Sequence, residues 1–139
     1  KMAEKFGATA IVSPDGSVKD QVKKACGGRR PAVIFECVGI PGMIQNCVDL
    51  APTFGKVIVV GVCDQPDTLV PMKAVAKELH VQFVIGYVRQ DFEFIIGMLA
   101  ADRIDGEALI TDTVAFDGFS DAFEGLRTPS HQCKVMLEL

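Results

Sequence analysis

The sequence predicts an α/β fold in which a doubly wound parallel sheet carries helices on both faces. Short apolar runs alternate along the chain with segments whose apolar residues recur at helical spacing. The connections between these elements are short, which favours parallel strands joined by crossover helices. Nearly half of the 139 residues are apolar, so the chain has enough apolar material for the core of one domain.

Six short segments have the composition of strands. The run KVIVVGV at 56–62 is almost entirely apolar, as in parallel strands that are buried on both faces. The first strand is closed by the turn cluster SPDG at 13–16. The predicted strands are 9–12, 32–38, 56–62, 81–87, 108–116 and 133–139.

Five helices are predicted between these strands from apolar spacing and from residues that favour a helix start. Ser17 is a typical N-cap residue for the first of them. Pro41 and Pro71 open the second and third, because proline fits the first turn of a helix. The fourth begins near Asp91, and a short fifth contains Phe119.

Composition and charge exclude several classes of protein. A formal net charge of −4 argues against a nucleic-acid binder, which usually has a concentrated basic face, so the pairs at 23–24 and 29–30 are interpreted as an exposed helix end. No apolar stretch approaches the ~20 residues that span a bilayer, and no signal-peptide pattern occurs at the start. A soluble cytoplasmic protein without a membrane or nucleic-acid partner is expected.

The cysteines and histidines show no spacing typical of a metal site. The five cysteines are dispersed, without a close pair, which predicts reduced and mostly buried thiols and no metal ligand in this chain. They are Cys26, Cys37, Cys47, Cys63 and Cys133. A small thiol enzyme that uses Cys37 or Cys63 stays open as an alternative.

The stretch VIFECVGIPGM at 33–43 places an acidic residue and a thiol inside an apolar strand. Glu36 and Cys37 face opposite sides of that strand, so they cannot act together on one surface, and Cys37 is interpreted as a packing residue. The carboxylate of Glu36 needs hydrogen-bond donors or a solvent-exposed edge of the sheet, and the sequence does not identify a donor. Gly39 follows the strand, where ligands of such sheets bind, and it leaves room for close approach to the backbone.

The chain resembles the medium-chain dehydrogenase/reductase superfamily, most closely its zinc-containing alcohol and polyol dehydrogenase branch, over essentially its whole length. The resemblance rests on eight segments in this order: KFGATAIVSP, VIFECVGIPG, FGKVIVVGV, ELHVQFVIGY, DFEFIIGMLAADRID, ALIT, AFEGL and KVMLEL. It implies that residues 1–139 are the C-terminal part of a Rossmann-like cofactor domain. This part lacks the first two strands of the domain and its glycine-rich turn. No G-x-G-x-x-G motif occurs in the sequence.

The resemblance implies hydride transfer between an alcohol and NAD or NADP in a longer parent enzyme. Zinc is implied in that parent and not in this chain, and the chain alone is expected to be inactive. No catalytic and no metal-binding residue is assigned to it. Two alternatives stay open, a non-catalytic nucleotide-binding or interaction module and the zinc-free quinone-reductase branch.

The resemblance also implies eight cofactor contacts, most of them through the main chain. Val38 and Gly39 border the adenosine, Val60, Gly61 and Val62 lie beside the nicotinamide ribose and carboxamide, Val84 and Gly86 reach the carboxamide, and Lys134 points toward the pyrophosphate. A homo-oligomer is also implied, with residues 81–87 as the contact edge. Loss of the first two strands would expose the edge of 33–38. The chain is expected to respond by dimerising, by moving the segment 9–12 or by leaving that segment loosely held.

Overall fold

The computed structural model describes residues 2–128 and 130–138. The helices are α1 (Met2–Lys5), α2 (Val18–Ala25), α3 (Met43–Leu50), α4 (Pro71–Val75), α5 (Arg89–Ala100) and α6 (Phe119–Gly125). The strands are β1 (Val33–Glu36), β2 (Lys56–Val59), β3 (His80–Phe83), β4 (Ile110–Ala115) and β5 (Lys134–Glu138). The chain divides into two compact units, the first ending at Ile85 and the second starting at Gly86. No helix in the described part is long and apolar enough to cross a membrane.

The first unit contains a parallel three-stranded sheet in the order β1-β2-β3. Val33 is opposite Lys56, which is in turn opposite His80, so the three strands begin at the same level. Helix α3 contacts β1 and β2, and residues of α3 and β2 form the buried core. The core residues are Cys47, Val48, Ala51, Val57 and Val59. The parallel α/β architecture predicted from alternating strands and helices is confirmed.

The second unit contains α5, α6 and the parallel pair β4 and β5. These two strands form their own sheet, instead of extending the first one as the sequence prediction assumed. A bulge lies between Ile110 and Asp112. The hydroxyl of the bulged Thr111 accepts a hydrogen bond from Cys133 N at 3.0 Å and donates one to Lys134 O at 3.3 Å. The side chain thus supplies hydrogen bonds where the regular ladder is interrupted.

The prediction of a strand at 9–12 is wrong. Residues 10–12 have no regular structure, and the Ile11 side chain is exposed. A β-branched run becomes a strand only when another strand pairs with it, and in the described part of the chain β1 pairs with β2 alone. Local composition therefore predicted an extended segment, but it could not show whether another strand would pair with that segment.

The predicted helix starts are confirmed to within two residues. Ser17 is the N-cap of α2, and its hydroxyl accepts a hydrogen bond from Asp20 N at 3.3 Å. Helix α3 begins at Met43, after the left-handed N-cap residue Gly42, and α4 begins at Pro71 itself. Helix α5 starts two residues before Asp91, whose carboxylate accepts a hydrogen bond from the N-cap main chain.

Two cations hold the C-terminus of α3. The Lys77 ammonium donates to Val48 O at 2.6 Å, to Ala51 O at 2.9 Å and to Asp49 O at 3.1 Å. Arg30 Nη1 donates to Asp49 O at 3.2 Å and to Ala51 O at 3.1 Å. Carbonyls at a helix C-terminus lack partners within the helix, and positive charge there is favoured by the helix dipole. Partial burial, and secondarily the Arg30 charge, lower the pKa of Lys77.

Replacing Lys77 with methionine is expected to lower the free energy of unfolding by about 1–3 kcal/mol, because three carbonyls lose a charged donor. Urea unfolding followed by circular dichroism measures this loss. Lys24→Met is the matched control, since Lys24 lies exposed on α2. Equal unfolding midpoints for the two variants would contradict the prediction.

The pH dependence of the second unit is expected to come in part from Asp112. His131 Nε2 lies 3.2 Å from Asp112 Oδ1, and hydrogen bonds with His131 and then Thr111 lower the pKa of Asp112. A carboxyl group with a lowered folded-state pKa stabilises the fold above its unfolded pKa of ~3.9, and this contribution is lost as pH falls through the folded value. The amide protection factors in β4 and β5 should therefore fall more steeply below about pH 4 in the wild type than in Asp112→Asn. Asp121→Asn, at an exposed position, should behave as the wild type.

Candidate functional site

Glu36 fixes the carboxyl ends of β1 and β2. The residue is 3% exposed, and Oε1 accepts hydrogen bonds from Val38 N at 2.7 Å and from Gly39 N at 2.9 Å. Its main-chain oxygen accepts from Val60 N at 2.8 Å and from Gly61 N at 2.9 Å. One residue therefore bonds to the turn after β1 through its carboxylate and to the turn after β2 through its carbonyl. The partner that the sequence did not name for Glu36 is the main chain of its own turn.

The two turns touch at a pair of glycines. Gly39 has φ +71°, and a Cβ placed there would lie 2.6 Å from Val62 O and 2.7 Å from Val62 N. A Cβ on Gly61 would meet Gly39 N, and it would lie 2.6 Å from Glu36 Oε2. A side chain at either position would therefore force the two main chains apart. The room that the sequence predicted at Gly39 is taken up, in this structure, by the main chain of Val62.

A cavity of about 410 Å³ opens beside these turns at the end of the first sheet. Three of the predicted contact residues line it, Gly61, Val62 and Val84. The other lining residues are Glu36, Ile40, Ile44, Val59, Cys63, Gln65, Asp67, Phe83 and Ile85. Two more predicted residues, Val38 and Gly39, form the turn that Glu36 holds, and Val60 directly follows β2. Six of the eight predicted positions thus fall at the carboxyl ends of this sheet.

The loop after β2 is tied to the start of α3 by Asp67. Its Oδ1 accepts hydrogen bonds from Gly42 N at 2.8 Å and from Thr68 N at 2.7 Å. Gly42 is the left-handed N-cap of α3 and has no side chain of its own to cap the helix. A carboxylate from another loop therefore caps α3 beside the cavity. Sequence reasoning missed this contact because 25 residues separate Asp67 from Gly42.

The remaining two predicted residues belong to the second unit. Gly86 has φ +66°, a conformation that favours glycine, and a Cβ there would have no atom within 4 Å. Lys134 begins β5 opposite Ile110 and lines a cavity of about 860 Å³ within this unit. Asp102, Asp105 and Glu107 also line that cavity, so Lys134 stands among carboxylates there.

The thiols differ from the prediction of mostly buried cysteines. Only Cys47 is buried, and Cys37 is exposed, so the interpretation of Cys37 as a packing residue is wrong. The face of β1 that carries Ile34 and Glu36 is the covered one, which leaves Cys37 on the open side. Burial, and secondarily the Glu36 charge, raise the pKa of Cys47. Residues 2–128 and 130–138 contain no group of three histidine, cysteine or carboxylate side chains that could hold a metal ion.

Known proteins resemble the chain in sequence and in fold. Residues 1–101 match the family model described as zinc-binding dehydrogenase. A D-xylulose reductase of Saccharomyces cerevisiae is 29% identical over 146 residues, covering 98% of this chain and 40% of that protein. A (R,R)-butanediol dehydrogenase of Neisseria gonorrhoeae is 28% identical, with 91% of this chain and 36% of that protein covered. The chain thus spans about 40% of the length of the curated relatives that it matches.

Two solved structures share the fold. A short chain alcohol dehydrogenase (rspB) from Escherichia coli CFT073, complexed with NADH, superposes with a TM-score of 0.88 at 24% identity and covers 99% of this chain and 41% of its own. The 2R,3R-butanediol dehydrogenase from Bacillus subtilis gives 0.86 at 23% identity, with 99% and 40% covered. The family model covers well over half of the sequence, and the chain therefore belongs to the zinc-binding dehydrogenase family.

Proposed function

We propose that this chain is the cofactor-binding part of an oxidoreductase that transfers a hydride between an alcohol and NAD or NADP. The observation that carries the proposal is the contact of the Gly39 and Gly61 turns beside an open cavity, at the carboxyl ends of two adjacent parallel strands. Ligands of such sheets bind at this edge. The relatives named D-xylulose reductase and (R,R)-butanediol dehydrogenase support an alcohol as the substrate class.

In this proposal the residues of the chain bind and orient the cofactor, which itself accepts or supplies the hydride. Val38 and Gly39 border the adenosine, and Val60, Gly61 and Val62 contact the nicotinamide ribose and carboxamide. Val84 and Gly86 offer main-chain groups to the carboxamide, while Lys134 offers its charge to the pyrophosphate. The fit rests on the cavity at the strand ends, which three of these residues line.

Zinc does not fit this chain on its own residues. No set of three ligands occurs in the described residues, and zinc sites draw three or four side chains together. In the proposal the zinc ligands come from another part of a longer polypeptide, as does the substrate pocket. The chain by itself is accordingly proposed to be inactive in alcohol oxidation.

The test is a calorimetric titration with NADH of this chain and of a polypeptide extended upstream by ~30 residues, about one βαβ unit. Binding by the extended polypeptide alone is expected, because phosphates bind where a glycine-rich turn opens a helix. Absence of binding in both would overturn the cofactor proposal. Equal binding in both would instead favour an independent nucleotide-binding module, and alcohol oxidation by the chain alone would refute its inactivity.

We further propose a homo-oligomer that forms through the edge of β3. Among the described residues β3 pairs with β2 alone, and Phe83 and Ile85 are 66% and 91% exposed. An apolar strand edge favours pairing with a second copy. Sedimentation velocity is expected to show a dimer for the wild type and a monomer for Ile85→Lys. The control Val62→Lys, also at an exposed residue that lines the cavity, is expected to stay dimeric. A monomer at all concentrations would contradict this proposal.

A further inference from the structure

A second, smaller cavity of the first unit lies away from the glycine turns. It has a volume of about 260 Å³ and is lined by residues of α2, by Arg30 and Pro31 before β1, and by Leu50 at the end of α3. None of its lining residues lines the cavity beside Gly61. It lies at the amino end of β1, whereas the glycine turns follow the carboxyl end.

The walls of this cavity carry an excess of positive charge. Lys19 and Lys23 are four residues apart on α2, so they share one helix face, and Arg30 joins them. Asp20 is the only carboxylate among the described lining residues. Within the part of the chain that the structure describes, none of these three cations forms an ion pair with a carboxylate.

Arg30 is the fixed member of the group. Its Nη1 is anchored by the carbonyls of Asp49 and Ala51, at 3.2 and 3.1 Å. The other guanidinium N–H groups make no hydrogen bond to the described residues. A guanidinium that is held in place and keeps free donors is preorganised for an oxyanion, because less side-chain freedom is lost on binding.

The pKa of Lys77 is also affected by this positive charge. Burial makes the largest contribution to lowering its pKa, and the charges of Arg30, Lys19 and Lys73 lower it further. The charges of these three cations thus repel the Lys77 ammonium, although Asp49 offsets part of the repulsion. An anion in the cavity would relieve that repulsion.

We propose that this cavity binds the phosphate group of a small phosphorylated molecule. Arg30 donates its free N–H groups to the phosphate oxygens, a geometry that the planar guanidinium favours. Lys19 and Lys23 add charge from α2. Val22, Pro31 and Leu50 form the apolar part of the wall and contact the carbon portion of the ligand. The proposal stands independently of NAD or NADP binding.

The test is a titration of the isotopically labelled chain with sodium phosphate, followed by amide NMR shifts, against sodium chloride at matched ionic strength. Saturable shifts are expected at residues 19–23 and at Arg30. The double variant Lys19→Gln/Lys23→Gln is expected to bind about tenfold more weakly, because two charge contacts are lost. Lys24→Gln, which removes the same kind of charge from a residue of α2 outside the cavity, should change the affinity less than about twofold.

Retention of the wild-type pattern of dispersed shifts shows that each variant is folded. Shifts that do not saturate, that spread over the chain, or that weaken equally in Lys24→Gln would overturn the proposal and indicate an adventitious ion only. Glycerol 3-phosphate is expected to bind more tightly than inorganic phosphate. Equal affinity would overturn the assignment of an organic phosphate.

Discussion

Replacing Gly39 with alanine is expected to destabilise the first unit by about 2–4 kcal/mol. The left-handed backbone at φ +71° disfavours any L side chain, and the new Cβ would lie 2.6 Å from Val62 O. Main-chain atoms of a neighbouring turn cannot rotate away as a flexible side chain can. The turns after β1 and β2 must therefore separate, and the separation breaks the arrangement that Glu36 holds. Urea unfolding gives the free energy, and amide exchange of Val60 and Gly61 reports the separation.

Gly28→Ala separates the two causes of this loss. Gly28 also has a left-handed backbone, at φ +85°, but a Cβ there would have no atom within 4 Å. Its substitution is expected to cost only the conformational part, about 1–2 kcal/mol. Equal losses for Gly39→Ala and Gly28→Ala would show that the contact with Val62 contributes nothing. Accelerated exchange at Gly61 in Gly28→Ala would contradict the local origin of the effect.

The sequence predicts where each strand of the first sheet begins to within one residue, but it places the carboxyl ends too late. The predicted strands 32–38, 56–62 and 81–87 run two, three and four residues beyond β1, β2 and β3, because apolar composition continues past the last paired residue. The runs that contain β1, β2 and β3 are recognisable from their own residues, and Gly39 and Gly61 follow the ends of β1 and β2 by three and two residues. The segment at 9–12 has a similar composition and forms no strand, since pairing depends on what lies beside it. For the same reason nothing in β4 or β5 indicates that they pair with each other in a separate sheet.

The candidate site is predictable only where its residues follow the strands. Six of the eight contact residues that the family resemblance implies lie at these strand ends. Glu36 and Asp67, which stabilise the site, could not be predicted in this way, because their partners are distant in sequence or are main-chain groups. Asp67 reaches Gly42 across 25 residues, and the Glu36 carboxylate bonds to amides that any residue would supply. A carboxylate in an apolar strand, three residues before a glycine, was the available signal.

Removing the Glu36 carboxylate is expected to lower the free energy of unfolding about as much as Gly39→Ala does. In Glu36→Ala the amides of Val38 and Gly39 lose their charged acceptor, at a cost of about 2–4 kcal/mol. Glu36→Gln keeps a side-chain oxygen for both amides, so its loss is expected to be about 1 kcal/mol, the difference between a charged and a neutral acceptor. The free energies come from urea unfolding of the three proteins.

The local consequence distinguishes this role from simple core packing. The Glu36 main-chain carbonyl still accepts from Val60 and Gly61 in both variants, so β1 and β2 should stay paired while the turn at 37–39 loosens. Amide exchange of Val38 and Gly39 should therefore accelerate in Glu36→Ala far more than exchange of Val60. Leucine at position 36, which restores apolar volume without an acceptor, should behave as alanine does at these amides. Recovery of slow exchange in Glu36→Leu would show that volume, and not the carboxylate, holds the turn.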